Sequence, residues 1–422
     1  MSQPTRILLA LVLGLALGIG MARLSPVVAG YLIPIATPIG AAWLNGLQMT
    51  IIPLVVALLV IGIAATAEAV RAGRIAAQTI ALILVVLTVS AAIAAFLTPL
   101  LLELLPMPTD SAAALRAALS AGPAPIGAPP IADFLASVVP TNVFAAAASS
   151  NFLQLIIFTL VFAFALTRIA PEDRASLTGF FSGLRDTMLV MIDWLIWIAP
   201  AGVFALALVV GAKTGTAAFG ALLHYVTIIS SVGIVITLLG YPVAAIGGRI
   251  ALARFARAAL PSQAVAVSTQ SSLATLPAML SGAETLGVHV GTSGVVLPLA
   301  VVMMRATGPA MNLAVAIYVA QWFGVVVSPA TMAAAVLVAT LTSLGSVSMP
   351  GQISFISAIA PISVTMGVPI TPLGLLVAVE TIPDIFRTLG NVTMDLAATM
   401  LIAARNPGEQ TAADRILDKG EH

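Results

Sequence analysis

Apolar runs long enough to cross a lipid bilayer recur along almost the whole chain, from Ile7 to Ile402, and that repetition leaves few folds open. A hydrocarbon core about 30 Å thick is crossed by about 20 apolar residues in a helix. Backbone that meets lipid must satisfy its own N–H and C=O groups, so such a chain folds as a bundle of helices within the membrane. Only 8% of the 422 residues are charged and 60% are hydrophobic, whereas a soluble domain carries about 25% charged residues. The expected class is an all-α membrane protein with no soluble domain.

The runs read as eight transmembrane helices, at about 7–23, 32–66 (tilted or broken near Pro53), 75–104, 151–168, 176–210, 217–247, 292–327 and 371–405. Arginine and lysine gather at alternate breaks: Arg6, then Arg71 and Arg74, Arg168 and Arg174, Arg249, Arg254 and Arg257, and finally Arg405, Arg415 and Lys419. Positive residues collect in cytoplasmic loops, so both termini are expected to be cytoplasmic, in a multi-pass protein of the cell (inner) membrane. The first run follows Arg6 and precedes small residues, as a cleavable leader does; a multispanning body needs none, and it is read as a retained span. There is no cysteine and the three histidines are scattered, so no disulfide, cofactor or His-based metal site is expected. Nucleic acid is not an expected partner; membrane lipids are.

Past Arg257 the texture changes. "RAALPSQAVAVSTQSSLATLPAML", Arg257 to Leu280, has two apolar stretches too short to span on either side of a Ser/Thr/Gln-rich tip. "ATLTSLGSVSMPGQISFISAIAPI", Ala339 to Ile362, repeats the pattern with a Ser-rich tip at Gly345 to Gly351. Each reads as a re-entrant hairpin followed by an apolar helix carrying polar residues, a duplicated unit. Paired interrupted segments of this kind point to a transporter's midplane binding site. Ordinary helical hairpins with polar turns outside the membrane are the alternative.

The last helix holds "VETIPDIFRTLGNVTMDLAATM". Asp384, Arg387, Thr388, Asn391 and Asp395 recur at spacings of three or four and share one helical face. Charges at that depth are costly and mark functional sites by default. The stripe is either a self-neutralising structural pair, Asp384 with Arg387, or the floor of a pocket under the two serine-rich tips. In the pocket reading, Arg387 clamps a carboxylate with its planar fork and Asp384 accepts from an ammonium. Aspartate or glutamate fits that set. An aspartyl protease pair does not: Asp384 and Asp395 stand about 16 Å apart along a helix rising 1.5 Å per residue, so no enzyme is expected. An anion channel suits the arginines but not the occluding hairpins.

"VPTNVF" at 139–144, "WIAPAGVFALA" at 197–207, "SSLATLP" at 271–277, "VVLPL" at 295–299, "LGSVSMPG" at 344–351 and above all "PDIFRTLGNVTMD" at 383–395 resemble the glutamate/aspartate transporter homologues of the dicarboxylate/amino acid:cation symporters. The resemblance implies inverted repeats, a homotrimer and an elevator mechanism. Residues 1–74 would hold scaffold helices one and two, and 105–212 an extracellular loop with scaffold helices four and five. The transport domain would take helix three (75–104), helix six (213–250), hairpin one (251–291), helix seven (292–328), hairpin two (329–370) and helix eight (371–406), before a cytoplasmic tail (407–422). The resemblance implies that Asp384 takes the substrate's amino group, Arg387 its side-chain carboxylate, and Thr388 and Asn391 flank them. Gln270, Ser271 and Ser272 in the first tip, Met349 and Ile353 in the second, and Thr307 and Gly308 in the seventh helix complete the expected substrate set.

Sodium-driven members carry Asn-Met-Asp-Gly-Thr in the unwound middle of the seventh helix. The chain has Met304, Arg305, Ala306, Thr307 and Gly308 there, and Ile83, Val86 and Leu87 where the third helix would add oxygen ligands. Hard cations bind through oxygen. Asp395 and Asn391, which belong to another of the family's sodium sites, remain. Arg305 is therefore read as a tethered substitute for sodium, pairing with Asp395 and the carbonyls around 301–305; binding substrate carboxylate directly and snorkelling to an aqueous cavity are its other readings. The expected function is sodium-independent transport of aspartate or glutamate. A proton-coupled symporter of C4-dicarboxylates or amino acids, with Glu380 or Asp395 as proton carrier, an uncoupled facilitator or exchanger, and a sodium-coupled aspartate symporter are the alternatives.

Overall fold

The computed structural model describes residues 3–107, 139–345 and 351–406. Among the described residues the chain is helical, with no strand. α1 (Gln3–Leu24), α2 (Pro26–Met49), α3 (Ile51–Ala72) and α4 (Arg74–Leu104) form the first part. The break expected near Pro53 falls at Thr50, whose hydroxyl donates to the Leu47 carbonyl at 2.8 Å; Pro53 sits in the first turn of α3, where a missing N–H costs least.

A short α5 (Val143–Ala148) opens on Asn142, whose side chain accepts from the Phe144 and Ala145 amides. It leads into α6 (Phe152–Leu166), α7 (Pro171–Trp197) and α8 (Ala199–Thr214). The single helix expected over 176–210 is instead bent by 55° between α7 and α8. Pro200 has no N–H to give the carbonyl four residues back, and a proline inside a helical run bends it.

α9 (Ala217–Pro242) ends in a π-helical turn, Val243–Gly247. The first hairpin follows as α10 (Leu252–Thr269) and α11 (Ser272–Thr285). Gln270 turns the chain in the left-handed conformation, φ 51°, and Ser271 caps α11 by accepting from Ala274. α12 (Val290–Met303) and α13 (Thr307–Phe323) are the two halves of one interrupted helix; α14 (Pro329–Gly345) and α15 (Gly351–Thr365) are the arms of the second hairpin. The helix expected over 371–405 begins as one turn, α16 (Leu373–Leu376), passes through tight i to i+3 turns at Ala378, Val379 and Glu380, and continues as α17 (Thr381–Arg405). Among the described residues, five helical spans are long and apolar enough to cross a membrane (α1, α2 with α3, α4, α9, and α12 with α13), six if the bent α7–α8 pair counts as one. Large apolar side chains face outward along the bundle, Phe96 at 82% exposure and Trp197 at 73% among them, as lipid-facing surface does.

α13 is buried on almost every side, from Thr307 to Phe323 with Gln321 the exception, and a helix apolar all round belongs at the centre. α17, packed against α9 and α12, is the second central element. α1 lies unusually close to α8. A Cβ on Gly14 would stand 2.6 Å from the Phe204 carbonyl oxygen, one on Gly211 2.5 Å from that of Leu15, and one on Gly18 would collide with the Leu208 carbonyl. Small residues allow such backbone approach between membrane helices. Gly18→Val is expected to lower the unfolding midpoint of the detergent-solubilised protein, an overpacking cost of about 1–3 kcal/mol. Gly20→Ala, with nothing within 4 Å of its Cβ position, should leave it unchanged; a thermal scan of the two variants checks the contrast.

Candidate functional site

The polar face of α17 enters the bundle beside the break between α12 and α13. Glu380, at the helix start, is fully buried, and Asp384, Arg387, Thr388 and Asn391 are buried with it. Arg387 Nη2 lies 2.5 Å from Glu380 Oε1, its Nη1 donates to Asn312 Oδ1 at 2.8 Å, and its Nε stands 3.4 Å from Asp384 Oδ1. Each nitrogen of the fork thus faces an acceptor. Tyr225 of α9 donates its hydroxyl to Glu380 Oε2 at 3.0 Å, so both oxygens of that carboxylate are engaged. A buried charge persists only when paired and hydrogen-bonded, and α9, α13 and α17 each supply part of the pairing.

One turn further along α17, Asn391 fixes the break. Its Oδ1 accepts from the Thr307 amide at 3.0 Å and lies 2.7 Å from the Thr307 hydroxyl, which is also 2.8 Å from the Arg387 carbonyl. Thr307 is the first residue of α13, and Asn391 satisfies an amide that has no intrahelical partner. Gly390 permits the approach: a Cβ there would collide with Thr307 and come within 2.7 Å of Thr237 Oγ1.

The first hairpin tip reaches this cluster. Gln270 donates to the Thr381 carbonyl at 3.4 Å, which sets the tip against the start of α17. Ser271 turns its hydroxyl inward as the cap of α11 and Ser272 opens that helix, half-exposed. Ile353 lies in the first turn of α15, and Met349 lies outside the described residues. Gly308 is buried beside Arg305 and Ser343; a Cβ on it would lie 3.3 Å from Arg305 Cβ and 3.4 Å from Ser343 Oγ, so a threonine there would crowd the arginine.

Arg305 stands in the break, just after Met304, the residue that caps α12. The direct pairing expected with Asp395 is not formed: both Asp395 oxygens are buried and accept no hydrogen bond, and among the described residues no ion pair joins the two. Thr307 is anchored to Asn391, four residues before Asp395 on α17. The charge of Arg305 still reaches Asp395, Asp384 and Arg387 through space, and it is the charged neighbour acting on Asp395. Ile83 and Leu87 of α4 are buried hydrocarbon, as are Met304 and Ala306. His224, half-exposed on α9, is bonded through both ring nitrogens, to the Tyr318 hydroxyl at 3.1 Å and the Leu105 carbonyl at 2.7 Å.

Sequence reasoning passed over Asn312, Tyr225 and Gly390. Asn312 carried a signal, a lone amide in an apolar helix seven residues after Arg305. Tyr225 and Gly390 carried none, because their roles arise from which helices meet. Thr307→Val should remove the hydroxyl's contacts to α17 and cost about 1–3 kcal/mol for a buried acceptor left unmet; Thr307→Ser should keep most of the stability. Chemical denaturation of the purified variants measures both.

The family profile of the sodium:dicarboxylate symporters matches residues 4–405. The chain is 27% identical to the proton/glutamate-aspartate symporter of Escherichia coli (strain K12) over 95% of its length and 92% of the relative's. It is 28% identical to C4-dicarboxylate transport protein 2 of Ralstonia nicotianae, over 98% and 91%, and 27% identical to the proton/sodium-glutamate symport protein of Bacillus subtilis, over 94% and 91%. A buried polar cluster at a broken helix in a multi-pass bundle, and a match over nearly the whole chain, lead to one conclusion: this is a transporter, not an enzyme, and it belongs to the sodium:dicarboxylate symporter family.

Proposed function

We propose that the chain carries acidic amino acids, aspartate or glutamate, across the membrane, with Arg387 binding the side-chain carboxylate and Asp384 the ammonium. The observation that carries this reading is the buried Glu380–Arg387–Asp384 cluster beneath the first hairpin tip. A neutral amino acid has nothing to offer the guanidinium, and a plain dicarboxylate has nothing to offer Asp384. In the present arrangement Glu380 occupies part of the fork. A ligand carboxylate takes its place, so Glu380 serves as an internal counter-ion while the site is empty. Gln270, Ser271 and Ser272 of the first tip, Thr388, and Met349 and Ile353 of the second tip enclose the ligand; Thr307, Gly308 and Asn391 shape the wall behind it.

Eight spanning helices, two re-entrant hairpins, a homotrimer, cytoplasmic termini and elevator movement of α4 and α9–α17 against the remaining helices complete the proposal, supported by family membership. Sodium independence rests on the hydrocarbon at Ile83, Leu87, Met304 and Ala306, which does not fit a cage for a hard cation. Arg305 replaces the ion as a permanent charge acting on Asp395 through space, not as a hydrogen-bonded pair. A second reading has one observation in its favour: Asp395, buried with neither oxygen bonded, is placed to carry a proton through the cycle, as the E. coli relative's name describes for that protein.

In proteoliposomes, uptake of labelled aspartate should be unchanged when choline replaces sodium; a steep loss would end the tethered-cation account. A dye trapped inside the vesicles distinguishes the two readings, since proton symport acidifies the lumen in step with uptake and Asp395→Asn abolishes that signal. Arg387→Ala should weaken aspartate binding by about 2–5 kcal/mol, the loss expected from truncating one side of a buried charge pair; calorimetry reads it.

A further inference from the structure

Away from the α13–α17 crossing, a half-open cavity of about 420 Å³, lined mostly by apolar surface, lies between the end of α3, the α6–α7 turn and the first three turns of α7. Glu68 lines it from α3, and Arg174, Thr178, Gly179 and Ser182 from α7. Opposite charges sharing a cavity usually close on each other. Here, among the described residues, Glu68 and Arg174 make no ion pair with each other. The contact of Arg174 is a long one, Nη1 to the Thr167 carbonyl at 3.4 Å, which leaves most of its five donors for something else. The two charges are held apart by the helices that carry them.

The site lies where the apolar α6 ends at Leu166 and α7 begins with Glu172 and Asp173 in its first turn, and charged residues at the end of an apolar helix suit the interface between lipid and water. Beside it, Leu177 is 38% exposed and Phe180 63% exposed. A ligand seated there has a doubly polar head in the cavity and an apolar body along α7. A simple anion would meet the Glu68 carboxylate, and like charges side by side repel. We infer that this cavity is a binding site for a phospholipid with a zwitterionic, ammonium-bearing headgroup: Arg174 takes the phosphate, Glu68 takes the ammonium, Thr178 and Ser182 supply hydroxyls, and Phe180 meets an acyl chain. Phosphatidylethanolamine has this chemistry; phosphatidylglycerol lacks the ammonium.

Native mass spectrometry of the full-length protein in detergent, with equimolar phosphatidylethanolamine and phosphatidylglycerol, tests the assignment. The wild type should retain phosphatidylethanolamine about tenfold over phosphatidylglycerol, the scale of one charge-assisted contact. Arg174→Ala should lower retention of both lipids, whereas Glu68→Gln should keep retention and erase the preference. Neither residue touches the buried cluster, so aspartate binding in both variants reports that they are folded. Equal retention of the two lipids by the wild type, or no change in Arg174→Ala, overturns the proposal. So does a wild type that carries no lipid and whose subunit count changes with Arg174→Ala, which would assign the face to a second copy of the chain.

Discussion

Arg387 is a permanently charged guanidinium buried in the centre of an apolar bundle, and the architecture around it is arranged to make that possible. Its partners come from different places: Glu380 from the tight turns before α17 and Asn312 from α13 accept hydrogen bonds, and Asp384 in the first turn of α17 adds a charge 3.4 Å from Nε. Tyr225 then binds the far oxygen of Glu380. Losing a carboxylate leaves the guanidinium with less counter-charge in a medium that solvates it poorly, and losing Asn312 or Tyr225 leaves a charged group short of a hydrogen bond. The interaction therefore ties α9, α13 and α17 into a single unit, and the interrupted helices around it follow from that need for partners at depth.

The break between α12 and α13 shows the same logic in backbone form. A helix interrupted inside a membrane exposes amides and carbonyls that lipid cannot satisfy. Asn391 takes the Thr307 amide, and Gly390 lets the two helices approach closely enough for it to do so. One turn beyond Asn391, both oxygens of Asp395 are buried and accept no hydrogen bond, with Arg305 as the nearby charge. The small residue at 308 and the large charged one at 305 are two sides of the same space.

Much of this was legible in the sequence. Apolar run length gave the class, the first Ser-rich tip falls between α10 and α11, and the three-and-four spacing of Asp384, Arg387 and Asn391 put the polar stripe on one face of α17; most of the second tip lies outside the described residues. The bend at Ile198 was missed because hydropathy does not register a lost N–H at Pro200, although the proline itself was visible. Tyr225 and Gly390 were beyond reach for a different reason: each matters only through a neighbour more than eighty residues away in the chain. The sequence offered no way to see that the Asp395 oxygens accept no hydrogen bond here, because a residue's place in a motif does not fix which side chains meet it.

The central claim is that an acidic ligand and Glu380 compete for one guanidinium. Calorimetry of L-aspartate binding to the wild type and to Glu380→Gln in sodium-free buffer tests it most directly. With Glu380 neutralised, the fork keeps Asp384 beside its Nε but loses the carboxylate that competes with the ligand's, and aspartate should bind about tenfold more tightly, an advantage of about 1.4 kcal/mol. Unchanged or weaker binding in Glu380→Gln would contradict the account and leave the ion pair as a purely structural contact.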